Sequence, residues 1–154
     1  MTKNGPKVIE FNARFGCPEA EVYMRLLNSD LLNLLEASEG GTISSQSIDW
    51  KPGFAATIML VSGGYPEAYK KDLPITGIEE AEKVPGVIVF HAGTKYENGQ
   101  TFTNGGRVLS VSAIGETLQE ALDRAYEGIS KIHFENMYYR RDIGAKSLAL
   151  ENGR

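Results

Sequence analysis

Cysteine, histidine and tryptophan are scarce: one Cys, two His and one Trp in 154 residues. A lone thiol, Cys17, closes no disulfide within the chain, which favours a reducing compartment such as the cytoplasm. No Cys/His cluster has the spacing of a zinc site, and no P-loop pattern is present. No apolar run approaches the length that spans a bilayer, and the N-terminus lacks the apolar stretch of a signal peptide. A membrane partner is therefore not expected. Basic residues are outnumbered, 16 Lys and Arg against 20 Asp and Glu, for a net charge of −4. That balance offers no broad cationic surface for nucleic acid. Internal repeats and low-complexity stretches are also missing.

What remains has the composition of one globular unit with room for a small appendage. The apolar share is 42% and the charged share 23%, both ordinary for a packed core with a solvated surface. Seventeen glycines, many in pairs, imply numerous tight turns and close backbone approaches.

The stretch from Lys7 to Glu19 reads as a strand, a turn and the start of a helix. Alternation puts Val8, Glu10, Asn12 and Arg14 on one face and Ile9, Phe11, Ala13 and Phe15 on the other. The second face is apolar and is expected to be buried. The first aligns a carboxylate, an amide and a guanidinium, groups that are costly to bury alone. Two readings fit: a solvated face of an edge strand, or a site for a hard cation and an anion. Upstream, Asn4-Gly5 is a hairpin signal with a short arm before it, so the natural sequence is expected to continue beyond Met1.

Pro18, Glu19 and Glu21 suit a helix N-terminus. Asn28-Ser29-Asp30 suits a cap and break before a second helix, which ends at Gly40-Gly41. The leucines of both helices are expected in the core. Residues 42–52 read as a loop, with Ile48 and Trp50 anchored on the core. A continuously apolar strand is expected from Phe54 to Ser62. A second strand starts at Val87, and a hairpin centres on Asn98-Gly99. A third strand, from Arg107 to Ile114, puts Val108, Ser110, Ser112 and Ile114 on one face. Thr117 and Glu120 form a capping box for an amphipathic helix reaching Ile132. The aromatic, basic tail from His133 to Gly144 is expected to pack back on the sheet. His91, His133, Arg140 and Arg141 read as structural residues.

Six blocks carry a family resemblance. Glu10-Phe11-Asn12-Ala13-Arg14-Phe15-Gly16-Cys17-Pro18-Glu19 resembles the E-F-N-x-R-F-G-D-P-E signature of the phosphoribosylamine–glycine ligases (glycinamide ribonucleotide synthetases), members of the ATP-grasp class. The likeness continues through Asn28-Ser29-Asp30-Leu31, Ser62 to Pro66, Phe90 to Thr94, Thr103 to Leu109 and Tyr139 to Gly144. The blocks follow the family's order and cover nearly the whole chain. Cys17 departs from the pattern, standing where the family has Asp; a thiol neither caps the helix nor adds a carboxylate beside the strand.

The resemblance implies an α+β fold. Residues 1–41 would be the C-terminal end of an ATP-grasp domain, a strand plus helices. Residues 42–154 would be a C-terminal domain with a mainly antiparallel sheet and a long packed helix. The implied activity joins glycine to 5-phosphoribosylamine with ATP as co-substrate, in de novo purine (IMP) biosynthesis. Glu10 and Asn12 would be the Mg²⁺ or Mn²⁺ ligands, and Arg14 would steady the transferred phosphoryl group. Gly93, Thr94, Gly105, Gly106 and Arg107 would form the phosphoribosyl side of the cleft, although turn glycines and a surface ion pair at Arg107 would give the same pattern. The implied partners are glycine, 5-phosphoribosylamine, ATP and the N-terminal and ATP-grasp segments of the same enzyme, which this chain lacks. Nothing in the chain resembles the ATP-clamping lysines, so by itself it is expected to be inactive. The alternative is a binding module that keeps the fold without catalysis.

Overall fold

The structure, a computed structural model, describes residues 3, 5–8, 11 and 13–152, the last two by backbone only. The chain order is α1 (Glu19–Leu26), α2 (Leu31–Glu39), a short 3₁₀ turn (Ile43–Ser45), β1 (Phe54–Val61), β2 (Pro74–Ile75), α3 (Ile78–Glu82), β3 (Val87–His91), β4 (Thr94–Glu97), β5 (Gln100–Thr103), β6 (Arg107–Gly115), α4 (Leu118–Lys131) and α5 (Ala145–Asn152). The fold is mixed α+β with two antiparallel three-stranded sheets, ordered β1-β6-β3 and β2-β5-β4.

The first sheet is covered on both sides, which explains the uninterrupted apolar run of β1. In register, Ile58 faces Val111, Leu60 faces Leu109 and Val89 faces Val111. This row packs on α4 through Ala121, Leu122, Ala125 and Ile129, all buried. Helix α4 starts as expected. The Thr117 hydroxyl oxygen accepts from the Glu120 amide at 3.1 Å, and Glu120 Oε2 accepts from the Glu116 amide at 2.6 Å. The opposite face of β6 carries Ser110 and Ser112, fully buried beneath α1. The tail laces the two sheets together. His133 bridges Thr76 beside β2, Tyr138 bridges Val61 on β1, and Phe134 between them is 1% exposed. The second sheet holds the expected hairpin, with Asn98 and Gly99 both at positive φ as a tight two-residue turn requires. Helix α5 had no forecast in the sequence.

Three expectations need correction. Among the described residues, none between Pro6 and Gly16 belongs to a strand, and Phe11 and Phe15 are 90% and 53% exposed rather than buried. A strand needs a neighbour to bond its backbone, and no described residue supplies one there. Leu32 and Leu35 of α2 are exposed, as are Ile48 and Trp50. The leucines keep the helical spacing forecast for them, but they and the loop residues Ile48 and Trp50 meet solvent. The loop is nevertheless tied down: Lys51 N–H donates to the Leu26 carbonyl at 2.7 Å and Asn28 N–H to the Asp49 carbonyl at 2.9 Å. Residues 42–51 thus travel with the helical layer.

Candidate functional site

Three glycine-bearing segments far apart in sequence meet at the start of β6. Gly93 N–H donates to the Arg107 carbonyl at 2.8 Å, and Asn104 N–H donates to the Gly93 carbonyl at 2.7 Å. A methyl group built on Gly93 would lie 2.7 Å from the Gly105 Cα and 2.5 Å from the Arg107 oxygen. Backbone meets backbone here, and only a residue without a side chain fits. Ser62, at the end of β1, locks the third segment. Its N–H donates to the Gly106 carbonyl at 2.8 Å and its hydroxyl to the Gly105 carbonyl at 2.9 Å. Thr94 closes the rim through a 2.9 Å hydrogen bond between its hydroxyl and His91 Nδ1. Gly93, Thr94, Gly105, Gly106 and Arg107 therefore do converge.

Arg107 is exposed, and none of the described carboxylates pairs with it as a salt bridge. Its Nη1 donates instead to the Cys17 carbonyl at 2.9 Å. This contact spans 90 positions of sequence. It carries the end of the signature stretch onto the glycine cluster. Arg14 is three residues away, at most about 11 Å along the chain. Its side chain is exposed, with Nη1 donating to the Phe15 carbonyl at 2.8 Å. Glu10 and Asn12 lie outside the described residues. Among those described, no group of three or more His, Cys, Asp or Glu could hold a metal ion. Helix α1 has Pro18 rather than residue 17 at its N-cap and carries no side-chain cap, since proline offers no capping oxygen.

Neither Ser62, named only within a resemblance block, nor Glu21, read only as a helix N-terminal charge, was given a site role from the sequence. Ser62 is 1% exposed and holds two of the three glycine carbonyls; a serine closing an apolar strand just before Gly-Gly was the available signal. Glu21 has no such signal. On α1 it accepts a hydrogen bond from the Ser110 hydroxyl on β6. Burial pushes its carboxyl above the usual range, with Ser110 and the Arg107 charge opposing that shift. A folded-state value above the unfolded one means the folded chain holds the proton longer. That contribution is complete below the ordinary carboxylate value and is lost as pH rises through the raised one. Melting temperature from about pH 4 to pH 7 should therefore fall more steeply in the native chain than in Glu21→Gln, which keeps an acceptor for Ser110 but does not titrate. Equal slopes would remove Glu21 as the cause.

The sequence and fold match known proteins along most of the chain. Residues 55–146 match the family described as phosphoribosylglycinamide synthetase, C domain. The chain belongs to this family. It is 43% identical over 145 residues to the phosphoribosylamine–glycine ligase of Caldanaerobacter subterraneus subsp. tengcongensis, covering 94% of this chain and 34% of that protein. It is 45% identical over 150 residues to the human trifunctional purine biosynthetic protein adenosine-3, covering 97% of this chain and 15% of that protein. A crystal structure of phosphoribosylamine–glycine ligase from Thermotoga maritima superposes with a TM-score of 0.73 at 39% identity, over 91% of this chain and 34% of that one. The chain thus spans about a third of the length of the curated ligases it matches and carries their C domain. The glycine cluster, β6 and α4 all fall inside the matched span, whereas Arg14, Cys17 and Glu21 precede it. Among the described residues, no helix is long and apolar enough to cross a membrane.

Proposed function

We propose that this chain supplies the C domain, and in residues 1–41 the closing segment of an ATP-grasp domain, of a phosphoribosylamine–glycine ligase. The whole enzyme would act in the cytoplasm in de novo purine biosynthesis. Glycine's carboxylate attacks the γ-phosphate of ATP, giving glycyl phosphate and ADP. The amine of 5-phosphoribosylamine then attacks the acyl carbon and phosphate leaves, giving glycinamide ribonucleotide. Charge develops on phosphoryl and acyl oxygens in both steps, so fixed donors at those oxygens are what lower the barrier.

The observation that carries this reading is the hydrogen bond from Arg107 to the Cys17 carbonyl. It supports one continuous site running from the signature stretch to the glycine cluster. In that site Arg14 steadies the transferred phosphoryl group. Arg107 and the bare backbone of Gly93, Gly105 and Gly106, with Thr94, receive the phosphate of the phosphoribosyl substrate. Glu10 and Asn12 would hold Mg²⁺ or Mn²⁺, because a carboxylate and an amide oxygen suit a hard divalent cation. The ion supplies charge neutralisation at phosphate oxygens.

The helical layer supports a place for the rest of such an enzyme. Phe15, Tyr23, Leu35, Ile43, Ile48 and Trp50 line an apolar cleft of about 280 Å³ and are all more than a third exposed. A patch of this kind marks a contact surface. The remaining ATP-grasp segments are the partner it fits.

Purified alone, the 154-residue chain should release no ADP in the presence of glycine, 5-phosphoribosylamine and ATP. Joined to the remaining segments of the family enzyme, it should release ADP over many turnovers only when all three substrates are present. Ligation by the chain alone would refute the division of labour proposed here. A joined protein that binds the substrates without turnover would favour the non-catalytic module, a reading to which Cys17 in place of the family's Asp lends its weight.

A further inference from the structure

A second polar cleft opens at the far end of β6, about 26 Å of strand from Arg107. It measures about 520 Å³ and is lined by Arg25 and Leu26 of α1, residues 51–53 of the loop before β1, the end of β6 through Glu116, and Arg124 of α4. Three cationic side chains face one carboxylate there. The other nearby carboxylate, Glu120, is already taken: it accepts from Arg124 and from the Glu116 amide. Arg124 is further held by the Ile114 carbonyl at 2.8 Å.

Arg25 is the unusual member. It is half-buried, and among the described residues its guanidinium makes one hydrogen bond, from Nη2 to the Gly86 carbonyl at 2.5 Å. Its Nε is sealed from solvent without a partner. No described carboxylate pairs with it, and burial pulls the guanidinium below its usual value. The Lys51 ammonium likewise has no hydrogen-bond or ion-pair partner among the described residues, and Lys51 stands exposed at the rim. A desolvated cation without a counter-charge is unfavourable, and the unpaired Lys51 ammonium beside it deepens the positive field, whereas Arg124 is balanced by Glu120. In a chain of net charge −4 this excess is local. Guanidinium and ammonium groups around a roomy, part-open cavity are the chemistry that takes phosphate oxygens. Leu26, Pro52 and Ile114 add an apolar wall beside them.

We propose that the cleft between Arg25, Lys51 and Arg124 is a binding site for a phosphate group, free or as the monoester of a small molecule. It lies apart from the glycine cluster and rests on no part of the ligase reading. Phosphate oxygens would be received by the unbonded Nη1 of Arg25 and by the Lys51 ammonium. Arg124 forms the wall of the cleft and adds neither a free donor nor net charge, since its guanidinium is engaged by Glu120 and the Ile114 carbonyl. Glu116 opposes binding and sets a limit on affinity.

The test is a titration of the full chain with inorganic phosphate and with adenosine monophosphate, followed by amide spectra at constant ionic strength. Gly53 and Gly115 serve as reporters because both line the cleft. Saturable shifts at these two amides are expected, half-complete on the order of 1 mM. Tighter binding of the nucleotide than of phosphate identifies an ester as the ligand, and equal binding identifies the free anion. Arg25→Gln should weaken binding roughly tenfold and Lys51→Gln roughly threefold, the second without a role in the fold. The proposal fails if the two amides show no saturable shift, if sodium chloride reproduces it, if it survives both substitutions unchanged, or if saturable shifts appear only around Arg107.

Discussion

Gly93→Ala should cost roughly 3 kcal/mol of stability and dismantle the glycine cluster together. The added methyl would sit 2.5 Å from the Arg107 carbonyl oxygen and 2.7 Å from the Gly105 Cα. Neither atom is the end of a movable side chain, so the two backbones must part. Overpacking of that kind typically costs about 1–3 kcal/mol. The parting also strains two backbone hydrogen bonds, Gly93 to Arg107 and Asn104 to Gly93, each worth about 1 kcal/mol. For a chain of this size a loss of that order lowers the melting temperature by about 6–12 °C. The check is thermal unfolding of the variant, with amide exchange at Asn104 as the local readout. A variant that melts with the native chain and keeps Asn104 protected would show that the close approach is not needed. Ser62→Ala offers a milder comparison. It removes one donor from the Gly105 carbonyl and adds no bulk, so it should loosen the cluster by about 1 kcal/mol without splitting it.

Glu10→Gln should lower kcat by about a hundredfold or more in an enzyme that joins this chain to the remaining family segments, on the order of 3 kcal/mol of transition-state stabilisation. The exchange keeps size and hydrogen bonding but removes the negative charge that suits a divalent cation. Gln binds such an ion weakly, so added Mg²⁺ or Mn²⁺ should restore part of the rate. If Glu10 acts only as a ligand, the same exchange in the isolated chain should change the unfolding free energy by no more than about 0.5 kcal/mol, read by thermal unfolding. Rate loss without stability loss separates a ligand from a structural residue. Full activity in Glu10→Gln would remove the metal assignment and with it the reading of the signature stretch.

Elements whose signals are local were legible. Strand β6 appears where its alternation puts it, with Ser110 and Ser112 on the α1 face and Leu109 and Val111 on the α4 face. Thr117 and Glu120 start α4, Asp30 accepts from the Asn33 amide to start α2, and Asn98-Gly99 turns the hairpin. Each of these depends on residues within a few positions of one another. The exposed faces were not legible. Phe11, Phe15, Leu35 and Trp50 carry apolar patterns, and a pattern records which face seeks cover without saying what covers it. The convergence of Arg25, Lys51 and Arg124 was equally invisible, because α1, the loop before β1 and α4 meet only after folding.

The amino-acid order alone settled the family and the order of the main strands and helices. Those follow from periodicity, caps and motifs that a chain carries along its length. Folding in three dimensions decided the rest: that Arg107 reaches Cys17 rather than an acid, that Ser110 holds Glu21, and that Arg25 is left half-buried without a counter-charge. Such contacts join residues tens of positions apart, where no local rule links one side chain to another, and the partner is chosen by which surfaces pack together.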